Sequence, residues 1–141
     1  MLDGHRFPYV PVRSEHGEVA LRAQLPLVPS HRGRSRQAVG LLDSGADVNV
    51  LPYGLGIDLG AVWAEQLPVV RLSGNLANFE ARGIILDAAV GHYAPVRLAF
   101  AWTRAEHVPL LLGQVTFFAE FDVCFYRSQG AFEVRPRGSA R

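Results

Sequence analysis

The stretch from Ala38 to Pro52, "AVGLLDSGADVNVLP", decides how this chain is read. An apolar run, Val39 to Leu42 broken only by Gly40, leads straight into Asp43-Ser44-Gly45, and Val48-Asn49-Val50-Leu51 resumes it. One reading is a strand, a polar turn and the next strand, with Asp, Ser and Gly present because turns favour them. The other reading starts from cost. An aspartate directly after an apolar strand sits where the sheet meets the core, an expensive place for a charge unless something compensates it. Gly45 lets the backbone turn sharply and come close to another chain or a ligand. The Ser44 hydroxyl can donate to a neighbouring carbonyl or carboxylate. The triplet can therefore present a carboxylate at the floor of a cleft, and on physics alone both readings stand.

Composition sets the frame around this motif. The 141 residues suit one domain spanning 1–141 with its own core, its ends (1–6 and 136–141) expected to fray. A 49% hydrophobic share with 19% charged residues argues against disorder. The formal net charge of +1 gives no electrostatic reason to expect nucleic acid or an anionic membrane as partner. The basic run His31 to Arg36 lacks aromatic interleaving and reads as a solvated hairpin tip. The first ten residues have neither the apolar core of a signal peptide nor a span, so a cytoplasmic location is expected. One cysteine, Cys124, excludes an internal disulfide, and its apolar setting "FDVCFY" reads as a buried, inert thiol. The histidines, His5, His16, His31, His92 and His107, are scattered without ligand spacing, so neither a metal nor a cofactor is expected.

Outward from the motif, the pattern is one of short strands. "FPYVPV" (7–12) suits an edge or terminal strand because of its prolines. "GEVALRAQLPLV" (17–28) alternates as a strand, and "SHRGRSRQ" turns it into "AVGLLD". "YGLGIDLGAVWAEQ" (53–66) has weak helical spacing, with glycines that keep any helix short. "PVVRLS", "NFEARGIILDAAV" and "APVRLAFAW" are further strand candidates. After "VPLLLG" comes one helical turn through "TFFAEF", then a hairpin of "DVCFYR" and "AFEVRP" turning at Gln129-Gly130. Trp63 and Trp102 read as core or interface anchors, and Asp87, Glu120 and Asp122 as surface acids. Many short strands with little helix predict an all-β barrel or sandwich.

"LLDSGAD" resembles the active-site signature of the retropepsin-like aspartic proteases, two apolar residues followed by Asp-Thr/Ser-Gly-Ala. "LLLGQVTFFAEFDVCF" (110–125) matches the family's second apolar pair and Gly, short helix and last strand, and "LSGNLANFEARG" (72–83) occupies the place of its flap. The resemblance spans roughly Val39 to Phe125 and implies an all-β acid-protease barrel with one short helix near the C-terminus. It implies an aspartic endopeptidase in which Asp43 is catalytic and Ser44 and Gly45 support it. Ala46, Asp47, Val48, Gly74 and Leu76 would contact a polypeptide substrate, with Leu76 at the flap tip; the other reading of Asp47 is a structural salt bridge to one of the many arginines. Such enzymes hold water between two carboxylates, and this chain has one Asp-Ser-Gly, so a homodimer is expected. Departures are visible: Asn75, Ala77 and Asn78 stand where viral flaps carry glycines, and Gln114 where many viral members carry an arginine that braces their dimer. The alternative on the same scaffold is an inactive module that binds an extended peptide as an added strand.

Overall fold

The computed structural model describes residues 4–66, 80–105 and 107–138, with the backbone of 69–70. The strands are β1 (His5–Pro8), β2 (Val10–Arg13), β3 (Val19–Arg22), β4 (Gln24–His31), β5 (Arg34–Ser35), β6 (Ala38–Leu42) and β7 (Asn49–Leu51). After a short helix, α1 (Tyr53–Asp58), follow β8 (Val69–Val70), β9 (Ala81–Ala89), β10 (Val96–Thr103) and β11 (Leu110–Leu112). A one-turn helix, α2 (Phe117–Glu120), leads into β12 (Phe121–Tyr126) and β13 (Ala131–Pro136). The predicted all-β class with a short helix near the C-terminus is what folds.

Period-2 patterning drives the strands. In β4 the side chains of Leu25, Leu27 and Pro29 are buried while their neighbours are not, as expected of a strand with one face on a core. The chain order 17–28, expected as one strand, breaks into β3 and β4 at Ala23, which turns inward and is buried. Likewise 7–12 divides into β1 and β2 at Tyr9. The tip of the β4–β5 hairpin has Arg32 at φ 48° and Gly33 at φ 84°; successive left-handed residues give the turn whose twist matches that of its strands.

Six strands close a barrel in the order β4-β6-β11-β7-β10-β9, with Val28 to Ser30 of β4 pairing Ala89 to Asp87 of β9 to complete the ring. Closure removes the exposed edges an open sheet would leave. Inside lie Leu25, Leu42, Ile84, Leu98, Leu112 and their neighbours. The last residues of β10 are buried on both faces because α1 covers the outside. There Trp102 stacks on Tyr53 at 5.5 Å and meets Trp63 edge-on at 5.1 Å, and its indole N–H donates to the Tyr53 carbonyl at 3.1 Å. Gly56 is the close-approach point, since a Cβ there would run into that indole ring. Both tryptophans are core anchors, as expected.

A second sheet, β1-β13-β12, packs on the barrel through Phe7, Phe121, Phe132 and Val134. It corrects two expectations. His5, Arg6 and Pro136, expected among frayed ends, lie in ladders, with His5 opposite Val134 and Phe121 opposite Pro136. Cys124 is exposed, not buried. On β12, Phe121 is buried and Val123 packs against the core, whereas Asp122, Cys124 and Tyr126 share the other parity beside Glu133 and Arg135; Phe125, of the same parity as Phe121, is exposed at the end of the strand.

Candidate active site

Two parallel pairings set the site. β11 runs parallel to β6, with Leu110 to Leu112 opposite Gly40 to Leu42, and β7 runs parallel to β10. β11 therefore lies between β6 and β7, so the Asp43 to Val48 connection must pass across its C-terminal end. The connection is held there by backbone bonds on both sides. The Asp43 N–H donates to the Leu112 carbonyl at 3.0 Å, and the Ala46 N–H to the Asp43 carbonyl at 3.1 Å, closing a tight turn. Beyond the turn, Gln114 N–H reaches the Ala46 carbonyl at 2.9 Å and Val115 N–H the Asp47 carbonyl at 2.8 Å.

The carboxylate is fixed by its own turn. Asp43 Oδ1 accepts the Gly45 N–H at 3.0 Å, an interaction open to Asp because its short side chain reaches the backbone two residues on. Asp43 is half-buried, while Ser44, Gly45 and Asp47 are exposed and Ala46 and Val48 half-buried. Asp43 and Ser44 line a shallow concavity of about 370 Å³ with Leu21, Arg22, Phe125 and Arg127. The structure thus brings Asp43 and Ser44 into one recess, with Gly45, Ala46, Asp47 and Val48 following along the same turn. Gly74 and Leu76, expected in the flap, lie outside the described residues.

Two residues brace the turn from behind. Asn49 is fully buried, and its amide accepts the Gly113 N–H at 2.8 Å while donating to the Ala99 carbonyl at 2.9 Å and to Thr116 Oγ1 at 3.3 Å. One side chain thereby joins β7, β10 and the end of β11. The sequence reading passed over it, although an amide inside the apolar run "VNVL" is the signal of a buried polar group with dedicated partners. Gly113 has no room for a side chain: a Cβ would sit 2.6 Å from the Ala46 carbonyl and 2.7 Å from that of Val48. Gln114, at the position of the viral arginine, donates from Nε2 to the Ser44 carbonyl at 2.8 Å, so a neutral amide ties the second apolar arm to the Asp-Ser-Gly turn. Among the described residues no group of three or more His, Cys, Asp or Glu could hold a metal ion. No helix among them is long and apolar enough to cross a membrane.

No family model matches the sequence, and no curated protein does. Among solved structures, a retropepsin-like aspartic protease from Rickettsia conorii matches with a TM-score of 0.59 at 12% identity, over 94% of this chain and 99% of that one. EIAV protease, complexed with the inhibitor HBY-793, matches at 15% identity and a TM-score of 0.49, over 73% of this chain and 88% of that one. The chain has the retropepsin-like fold, in agreement with the resemblance carried by "LLDSGAD" and "LLLG".

Proposed function

We propose that the chain is an aspartic endopeptidase that acts as a homodimer, the two Asp43 carboxylates sharing a proton and a water molecule across a two-fold axis. The observation that carries this is the Asp43 turn: a half-buried carboxylate, held by the Gly45 N–H, at the end of a parallel β6–β11 pair in this fold. One ionised Asp43 takes a proton from the water as its oxygen attacks the scissile carbonyl carbon. The protonated mate gives its proton to the carbonyl oxygen. Collapse of the resulting gem-diol breaks the C–N bond, and the departing nitrogen takes a proton from the dyad. Ser44 and Gly45 fix the carboxylates and line the floor, while Ala46, Asp47, Val48, Gly74 and Leu76 contact the substrate.

The test is hydrolysis of an extended, mostly apolar peptide by the wild type and by Asp43→Asn, with circular dichroism to check the fold. Symmetry makes Asp43 both acid and base, so the variant loses activity by at least several hundredfold, more than the 10²–10⁴ range of a single general acid or base would require at its lower end. A folded Asp43→Asn protein as active as wild type refutes the proposal. Peptide binding without hydrolysis by the wild type would instead identify a binding module.

A further inference from the structure

The recess that holds Asp43 and Ser44 carries more positive charge than negative. Arg22 and Arg127 line it, and Asp43 is the single carboxylate among its lining residues. Among the described residues no Asp or Glu, Asp43 included, lies within ion-pairing distance of either guanidinium, so neither charge is neutralised within them. Both side chains start from fixed backbone. Arg22 ends β3 and precedes Ala23, whose carbonyl accepts the N–H of Leu42, the neighbour of Asp43, at 3.0 Å. Arg127 opens the turn after β12, and its guanidinium lies over the Tyr9 ring, 5.3 Å from the centroid. The same turn is bonded to Tyr9: the Gly130 N–H donates to the Arg127 carbonyl at 3.1 Å, and the Tyr9 N–H to the Gly130 carbonyl at 2.8 Å. A guanidinium over a ring face keeps its in-plane donors free. Arg127 therefore presents a planar fork of the kind that fits a carboxylate.

We infer that Arg22 and Arg127 form a subsite for an acidic side chain of the substrate, an Asp or Glu whose carboxylate is taken by the Arg127 fork with Arg22 beside it. The inference rests on the protease reading and names its substrate class: an extended polypeptide, mostly apolar, with an acidic residue close to the bond cut. The position of that residue follows from size. Taken as a sphere, a concavity of about 370 Å³ is on the order of 9 Å across, and an extended chain covers about 3.3 Å per residue, so the acid lies within about three residues of the scissile bond. A neutral side chain there would leave two guanidinium groups facing one carboxylate. A lysine would add like charge, which such a site rejects. Leu21 and Phe125, 39% and 44% exposed in the same recess, supply apolar surface for the flanking residues.

The test moves one Glu along short, otherwise apolar peptides and repeats the series with Gln and with Lys. The peptide ends are blocked, so that a terminal carboxylate cannot stand in for the side chain. Assays run at about pH 5.5, above the ordinary Glu value of about 4.3, and mass spectrometry locates the cut. The wild type is expected to cleave the best Glu peptide with a kcat/KM at least about tenfold above that of its Gln twin, within about three residues of the Glu, the ratio shrinking at high salt. Arg22→Glu and Arg127→Glu, both at exposed positions, are expected to favour Lys over Glu. Equal cleavage of the Glu and Gln series, or a Glu preference that survives both substitutions, overturns the inference. Should a charge-reversed variant lose its β-sheet circular dichroism, Arg22→Gln and Arg127→Gln take its place, and the Glu to Gln ratio is expected to fall toward one. Fluorescence anisotropy of labelled peptides in an Asp43→Asn background reads the subsite without hydrolysis. Glu-selective binding that Arg127→Glu removes, where the wild type cleaves nothing, upholds the subsite while the protease reading fails. Binding without a Glu preference, or no binding, overturns the subsite whether or not the wild type cleaves.

Discussion

Replacing Asn49 by Leu tests the bracing of the Asp43 turn, because it removes the buried amide at nearly constant volume. Three hydrogen bonds disappear, those to Gly113 N–H, the Ala99 carbonyl and Thr116 Oγ1. Thr116 Oγ1 keeps the Ala99 N–H at 3.0 Å, so the main loss falls on the two backbone groups. A buried group left without its partner costs about 1–3 kcal/mol, which puts the variant about 4 kcal/mol below wild type. That is a large part of the roughly 5–15 kcal/mol that holds a domain folded. At about 3 °C per kcal/mol for a chain of this size, the melting temperature falls by about 12 °C. Urea unfolding followed by circular dichroism measures it. A loss below about 1 kcal/mol would show that Asn49 does not hold β7, β10 and β11 together. Asn49→Asp adds a check on sign. Burial raises a carboxyl pKa in the folded state above its unfolded value, so this variant is most stable at low pH, where the protonated acid can still donate to Ala99, and loses stability as pH rises through the folded value.

Gly113→Ala places a methyl group against the Ala46 and Val48 carbonyls, and since backbone cannot yield cheaply the expected outcome is a loss of at least about 3 kcal/mol and of peptide hydrolysis, read by thermal melts and activity. Gln114→Ala removes the tie to Ser44 from an exposed position; the expected result is a kcat about tenfold lower with KM and melting temperature little changed, and Gln114→Asn should not restore it because its amide is one methylene too short. A carboxylate pair that shares a proton titrates as a unit, so kcat/KM on one peptide should follow a bell with an acidic optimum and fall toward neutral pH, with chelator present throughout. A monotonic rise with pH would point to a different base.

The parts of this molecule that a sequence can disclose are those where chemistry and local patterning coincide. "AVGLLDSGAD" carries both a strand signal and a turn signal, so the end of β6 and the position of Asp43 were legible. Gly130 at φ 66° marked the β12–β13 turn for the same reason: a left-handed residue there favours glycine. Tertiary pairing left weaker traces. That β11 inserts between β6 and β7 depends on pairings such as Leu111 with Leu41 and Leu111 with Val50, far apart in sequence, and no local pattern announces the order. Asn49 was overlooked because an amide reads as a solvated residue until the Gly113 N–H and the Ala99 carbonyl are known to converge on it. Cys124 illustrates the limit most sharply. Every neighbour in "FDVCFY" except Asp122 is apolar or aromatic, so composition points to burial on both faces, yet period-2 geometry gives this strand two unequal faces. Which parity turns inward is fixed by β13, where Phe132 and Val134 are buried and Glu133 is half-exposed, and by the opposition of Cys124 to Glu133. The outer face follows from that pairing, and with it the exposure of the thiol.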